Sequence, residues 1–183
     1  MKIVGISGSL RTGSYNAALL RAARDLAPGD ARVEIASIRE IPLYDADVEA
    51  EGIPDGVRVL KDRIAASDGL LLVSPEYNNS FSGVMKNAID WLTRPSTDIP
   101  RVFRDRPVAV IGATPGRGGT ALAQTAWLPV LRTLGTRPWF GQRLQVSGAK
   151  SLFDDGGRLV DEETRTRLQA FMAGFVEFIE RGR

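Results

Sequence analysis

The stretch KIVGISGSLRTGSYNAALL, residues 2–20, decides the fold. It opens with an apolar run, Lys2 to Ser7, that is rich in Ile and Val and lacks polar alternation. Such a run suits a strand covered on both faces, as in a parallel sheet. It breaks at Gly8 and Ser9. After Ser14, the residues Asn16, Leu19, Leu20 and Ala23 recur at the i, i+3, i+4, i+7 spacing of one helix face. Strand, Gly/Ser turn and helix in succession are the first half of a βαβ unit. The apolar part is too short for a signal peptide and runs straight into the turn, so it reads as a first strand.

The same grammar continues outward. GLLLVS (69–74) and PVAVIGA (107–113) are two more buried strands, ARVEIAS (31–37) alternates as a strand nearer the edge would, and QRLQVSGA (142–149) is the weakest, fifth strand. Helical stripes lie between them. Val57, Leu60, Ile64 and Ala65 form one, and Val84, Ala88, Trp91 and Leu92 another. Leu122, Ala126, Leu128 and Leu131 form a third, which Pro129 is expected to bend or restart. Leu168, Phe171, Met172, Phe175 and Ile179 mark the last helix, with Asp161, Glu162 and Glu163 at its start, where the helix dipole favours acids. The segment LYDADVEAEGIPDG (43–56) reads as an acidic surface loop. There is no repeat and no linker, so residues 1–183 form a single domain. Five alternating strands and helices predict an α/β fold. Right-handed crossovers leave few topologies, and the choice is a flavodoxin-like three-layer sandwich with a five-stranded parallel sheet in order 2-1-3-4-5.

Composition narrows the chemistry. The chain has 183 residues, 43% apolar and 25% charged, which suits one soluble core. No apolar run nears the ~18 residues of a membrane span, so a cytoplasmic location is expected. The formal charge is only +2, with basic and acidic residues interleaved, so nucleic acid is not an expected partner. Cys and His are both absent. That removes disulfides, thiol nucleophiles, imidazole bases and zinc ligation by either residue. Demanding chemistry would have to come from carboxylates, hydroxyls or a bound cofactor.

The loop Gly8–Asn16 follows the first strand at the end where open α/β sheets bind ligands. A helix start there offers unpaired N–H groups and the positive end of a dipole. Ser9, Ser14 and Asn16 add neutral donors and Arg11 a charged one. The Gly-Lys-Ser/Thr ending of an ATP loop and the G-x-G-x-x-G of a dinucleotide loop are both missing. A monophosphate suits these residues. A polar turn with Ser14 as an ordinary helix cap is the competing reading. After the third strand comes Pro75, Glu76, Tyr77, Asn78, Asn79 and Ser80, then the helix MKNAIDWL. This loop joins a Pro-stiffened backbone to an aromatic ring and amides, which suits the edge of a heteroaromatic ring. Tyr77 as a packing residue is the alternative.

Taken together, GSLRTGSYN (8–16) and SPEYNNSFSGVMKNAIDWL (74–92) resemble the NAD(P)H-dependent FMN reductase family, the flavodoxin-like group that includes bacterial quinone, chromate and azo-type reductases. Every specified position of G-S-L-R-x-x-S-x-N and P-E-Y-N-x-S-x-x-G-x-x-K-N-A-I-D-W is met. The resemblance continues through IPLYDAD (41–47), TPGRGGT (114–120) and FDDGGRLVDEETRTRL (153–168). It implies that Ser9, Arg11, Ser14 and Asn16 hold the FMN phosphate. Pro75, Glu76, Tyr77 and Asn78 would line the isoalloxazine, largely through backbone groups. Thr114, Pro115 and Gly116 would close its other side, although relatives often carry a differently spaced glycine stretch there. Lys86 is expected to pair with Glu76, Asn87 to bond the same loop's backbone, and Asp90 to play a similar supporting part. Arg117 is a candidate for the phosphates of the pyridine nucleotide, with a solvated loop arginine as the alternative.

The resemblance further implies a ping-pong cycle in which NAD(P)H and then a small acceptor use one open flavin face, with no protein nucleophile. Quinones, free flavin, azo compounds and oxidised metal ions are the acceptor classes. A homodimer or a tetramer is implied, with Trp91, Leu92 and Trp127 as candidate walls or else as core. A non-enzymatic electron carrier is the rival, but such carriers tend to be strongly acidic. A nucleotide-binding regulatory module without flavin is a second rival, disfavoured by the 75–80 loop.

Overall fold

The apolar runs form the middle of one parallel sheet in the computed structural model, which describes residues 1–182. The strands are β1 (Lys2–Ser7), β2 (Arg32–Ala36), β3 (Gly69–Val73), β4 (Pro107–Ala113), β5 (Arg137–Pro138) and β6 (Gln145–Val146). Their order is β2-β1-β3-β4-β5, with β6 also on β4, and every pairing is parallel. This is the expected 2-1-3-4-5 arrangement. β3 is buried at every residue, whereas β2 alternates because it is an edge.

Helices cover both faces. α1 (Tyr15–Asp25) and α7 (Glu162–Glu180) bury Leu19, Phe171 and Phe175 on one side. α3 (Asp55–Ala65), α4 (Gly83–Leu92) and α6 (Ala121–Thr133) bury Leu60, Met85 and Trp127 on the other. A short α5 (Ile99–Val102) precedes β4. Asp161 caps α7 by accepting from Thr164 N–H at 2.8 Å, and this bond holds its carboxyl below the ordinary range. Glu162 and Glu163 occupy the first turn, as expected.

Three expectations are corrected. The fifth strand is not one run over 142–149. It is two short pieces, β5 against the start of β4 and β6 against its end. Arg137 and Trp139 both donate toward β4 at 2.8 Å, so the missing N–H of Pro138 falls on the outer edge, where it costs no ladder bond. Trp139 then turns its ring onto Phe171 and Phe175, and the chain leaves the sheet before returning at Gln145. Segment 43–56 is not wholly irregular. It holds α2 (Ala46–Glu51), capped by Asp45 and with no buried residue. Finally, α6 continues through Pro129 without restarting. The donor lost there would have served the Thr125 carbonyl, and Thr125 and Pro129 are both exposed, so water can replace it.

One close approach sets the end of β4. A Cβ on Gly112 would lie 2.2 Å from the Ser74 carbonyl oxygen and 2.3 Å from Thr120 Oγ1. Neither the backbone nor the buried Thr120 can retreat cheaply. Gly112→Ala is expected to destabilise by about 2 kcal/mol or more, the range of core overpacking, as measured by urea unfolding. An unchanged midpoint would contradict this packing.

Candidate active site

The site begins at the strand ends. β1 stops at Ser7, and Gly8 donates its N–H to the Val73 carbonyl at 2.9 Å, so the first loop leaves the sheet pinned to β3. Gly8 is tightly enclosed: a Cβ would sit 2.8 Å from Ser82 Oγ and 2.9 Å from Pro75 Cδ. Ser82 donates to the Gly8 carbonyl at 2.6 Å while also capping α4. The two predicted loops are therefore packed on each other, glycine against proline.

Beyond Gly8 the first loop turns into α1. Ser14 is the helix cap and accepts from Ala17 N–H at 3.1 Å, leaving its own O–H free to donate. Arg11 lies over the Tyr15 ring at 5.4 Å, a cation–π distance. The N–H groups of Arg11, Thr12, Gly13, Tyr15 and Asn16 meet no acceptor among the described residues. Such a run of unpaired donors is an anion cradle.

Asn16 behaves differently from a ligand. It is 4% exposed, its Oδ1 accepts from Ala113 N–H at 2.9 Å, and its Nδ2 donates to the Ala113 carbonyl at 2.9 Å. Its amide clamps the end of β4 to the start of α1. The 75–80 loop is a tight turn in which Tyr77 and Ser80 exchange both backbone bonds, at 2.9 and 3.0 Å. Asn78 and Asn79 take positive φ of 51° and 62° at its apex, which asparagine tolerates well. Glu76 points the other way. Its Oε2 accepts from Leu122 and Ala123 N–H at 2.8 and 3.1 Å. Thr120 at the start of α6 makes no capping bond of its own, so Glu76 caps that helix from a distant loop. The third loop is stitched to the return of the chain: Thr114 donates to the Val146 carbonyl and accepts from Ala149.

A cavity of about 530 Å³ opens where these loops meet, within the range of small-molecule sites. Ser9, Arg11, Ser14, Asn16, Pro75, Glu76, Tyr77, Thr114 and Pro115 line it. Asn78 and Gly116 lie outside the lining, as does the exposed Arg117. Tyr15 and Ala113 join the lining although the sequence did not single them out. Tyr15 was readable in principle as the first helical residue after the loop. A larger concavity of about 590 Å³ along α1 and residues 156–165 holds none of the predicted residues.

The supporting residues are rearranged relative to expectation. Lys86 does not meet Glu76; it pairs with Asp90 at 2.7 Å along its own helix, while Glu76 is taken by α6. Asn87 bonds a different loop, accepting from Tyr44 N–H and donating to the Pro42 carbonyl, both at 2.8 Å. Nearby, the hydrogen bond from Arg94 holds the Glu49 carboxyl below its ordinary range, and the bond to Glu49 raises the Tyr44 phenol. Trp91, Leu92 and Trp127 are 0% exposed and belong to the core, not to a surface wall.

Asn16→Ala would strand a buried N–H and a buried carbonyl at Ala113. We expect a loss of about 2–4 kcal/mol in chemical denaturation. A loss below about 0.5 kcal/mol, the scale of surface substitutions, would contradict the clamp.

Comparison with known proteins places the chain in a family. Residues 1–150 match the family model described as NADPH-dependent FMN reductase. An NAD(P)H-dependent FMN reductase of Pseudomonas aeruginosa is 44% identical over 169 residues, covering 92% of this chain and 90% of its own. A 2-hydroxy-1,4-benzoquinone reductase of Burkholderia sp is 37% identical, covering 98% and 96%. The solved structure of FerB, a flavoenzyme NAD(P)H:(acceptor) oxidoreductase from Paracoccus denitrificans, superposes with a TM-score of 0.89 at 36% identity, over 99% of this chain and 98% of its own. Flavodoxin 1 from Bacillus cereus, at 15% identity and TM-score 0.60, shares the fold. The chain belongs to the NADPH-dependent FMN reductase family, and it is an enzyme of that type, built for FMN and a reduced pyridine nucleotide.

Proposed function

We propose that this chain binds one FMN in the cavity above β1, β3 and β4 and reduces small electron acceptors with NAD(P)H. The observation that carries the reading is the convergence of three loops, from three strand ends, on one cavity of about 530 Å³. The donors fit a phosphate: the hydroxyls of Ser9 and Ser14, the Arg11 guanidinium and the free N–H groups of the loop. In this reading Asn16 contributes its backbone N–H, because its amide is spent on Ala113. The backbones of Pro75, Glu76 and Tyr77 border one side of the ring, and Thr114 and Pro115 border the other, with Gly116 beyond the lining. Asn78 acts through the turn it permits.

FMN, when bound, accepts a hydride from NAD(P)H and passes electrons on. The chain's part is to bind, to orient and to leave one face accessible. The two substrates use that face in turn, which gives ping-pong order. Quinones are the best-supported acceptors, given that relatives of 37% and 38% identity are named for quinone reduction. Free flavin, azo compounds and oxidised metal ions complete the class. No helix among the described residues is long and apolar enough to cross a membrane. A cytoplasmic location, where NAD(P)H is supplied, belongs to this reading. So does association of the chain with itself as a homodimer or tetramer. The exposed apolar side chains Val84, Leu122 and Leu128 of α4 and α6, not the buried tryptophans, are the surface for it.

Three measurements test the reading. The purified chain should carry a flavin spectrum that NADH or NADPH bleaches anaerobically and a quinone restores. Colourless protein that does not take up FMN would overturn it, and bleaching without turnover would favour the electron-carrier alternative. With both substrates varied, initial rates should give parallel double-reciprocal lines; intersecting lines would exclude the ping-pong order. Sedimentation should show a species of at least twice the 19.9 kDa chain mass, and a purely monomeric species would refute self-association.

A further inference from the structure

Arg39 belongs to none of the family's loops, yet it touches the phosphate loop. It follows β2 across a short turn, in which its own N–H donates to Ser37 Oγ at 3.2 Å. Its guanidinium donates to the Leu10 carbonyl. It meets no carboxylate among the described residues, and the side chain is exposed, so the arginine is not committed to a surface ion pair.

The consequence follows from the planarity of the peptide bond. The only cis bond among the described residues is Arg94-Pro95, so the Leu10–Arg11 peptide is trans. In a trans peptide the C=O and the N–H point in opposite directions. Arg11 lines the cavity, whereas Leu10 and Arg39 do not. Arg39 therefore draws the Leu10 carbonyl away from the cavity and leaves the Arg11 N–H facing the other way, with no acceptor of its own. Between Ser9 and Ser14 this is the one hydrogen bond that reaches the loop from a distant element, among the described residues. The charged donor on the oxygen also polarises the peptide and strengthens its N–H as a donor.

We infer that Arg39 is a positioning residue for the FMN phosphate: by holding the Leu10 carbonyl it presents the Arg11 N–H to the anion. The inference rests on the placement of FMN under the proposed function. It makes a distinction that a general stabilising role does not. Arg39 should matter to a flavin with a phosphate and not to one without.

The full-length chain, equilibrated by dialysis with FMN or with riboflavin, provides the test, with bound flavin read by absorbance and fluorescence. Wild-type protein should prefer FMN. Arg39→Met should weaken FMN about tenfold, the scale of one charge-assisted hydrogen bond, and leave riboflavin within about twofold. Arg39→Lys, which keeps a charged donor, should recover part of the loss. Unchanged FMN affinity in Arg39→Met, or an equal loss for both flavins, would overturn the inference. A wild-type chain that does not distinguish FMN from riboflavin would instead overturn the phosphate placement beneath it.

Discussion

The two hydrogen bonds between the Asn16 amide and the Ala113 backbone join parts of the chain 97 residues apart. They are buried, and they satisfy both polar groups of a strand end that β3 has already left. α1 can begin only where Asn16 reaches β4. The first loop then has fixed ends, Gly8 on Val73 and Asn16 on Ala113, and must bulge between them. The unpaired N–H groups of that bulge follow from the closure. Parallel strands end on the same side of a sheet, so the loops after β1, β3 and β4 share one rim. The clamp turns that shared rim into a site of defined width.

The other polar contacts around the cavity repeat this pattern between neighbouring loops. Ser82 ties the second loop to Gly8, Glu76 ties it to α6, and Thr114 ties the third loop to the return of the chain at Val146 and Ala149. Each bond runs from one loop to the backbone of another element. A site held this way presents its donors without reorganising when a ligand arrives, which is where binding free energy is otherwise lost. It also explains why Glu76 and Asn16 sit in strict motifs without being required as ligands. Moving either would shift a neighbouring backbone that borders the cavity.

The sequence was legible where periodicity and burial coincide. β1, β3 and β4 are continuous apolar runs because both sheet faces are covered, and the final helix follows from its stripe through Phe171, Phe175 and Ile179. Of the fifth strand only the second piece, β6, fell within the expected segment, because two residues pair at each end and the rest follows the packing of Trp139. The short helix at Ala46–Glu51 was hidden by the absence of any buried side, which removes the periodic signal. Around the cavity, nine of the eleven expected residues share the lining and Asn78 and Gly116 do not, while the bonding partners were not legible. Residue type says that Lys86 seeks an acid, but only the fold says that Asp90 is one turn away while Glu76 faces α6. Arg39 carried no signal at all: its partner is a carbonyl, and any residue supplies a carbonyl.

The absence of His and Cys fits this division of labour. Of the side chains that read most like ligands or catalysts, Asn16 and Glu76 are committed to backbone and Lys86 to Asp90. The donors that border the cavity are the Ser9 and Ser14 hydroxyls, the Arg11 guanidinium and the unpaired N–H groups of the first loop. Proton and electron traffic is then left to the flavin and its two substrates. A site of this kind needs geometry more than reactivity, and that geometry is fixed by bonds that leave the rim and end in the scaffold.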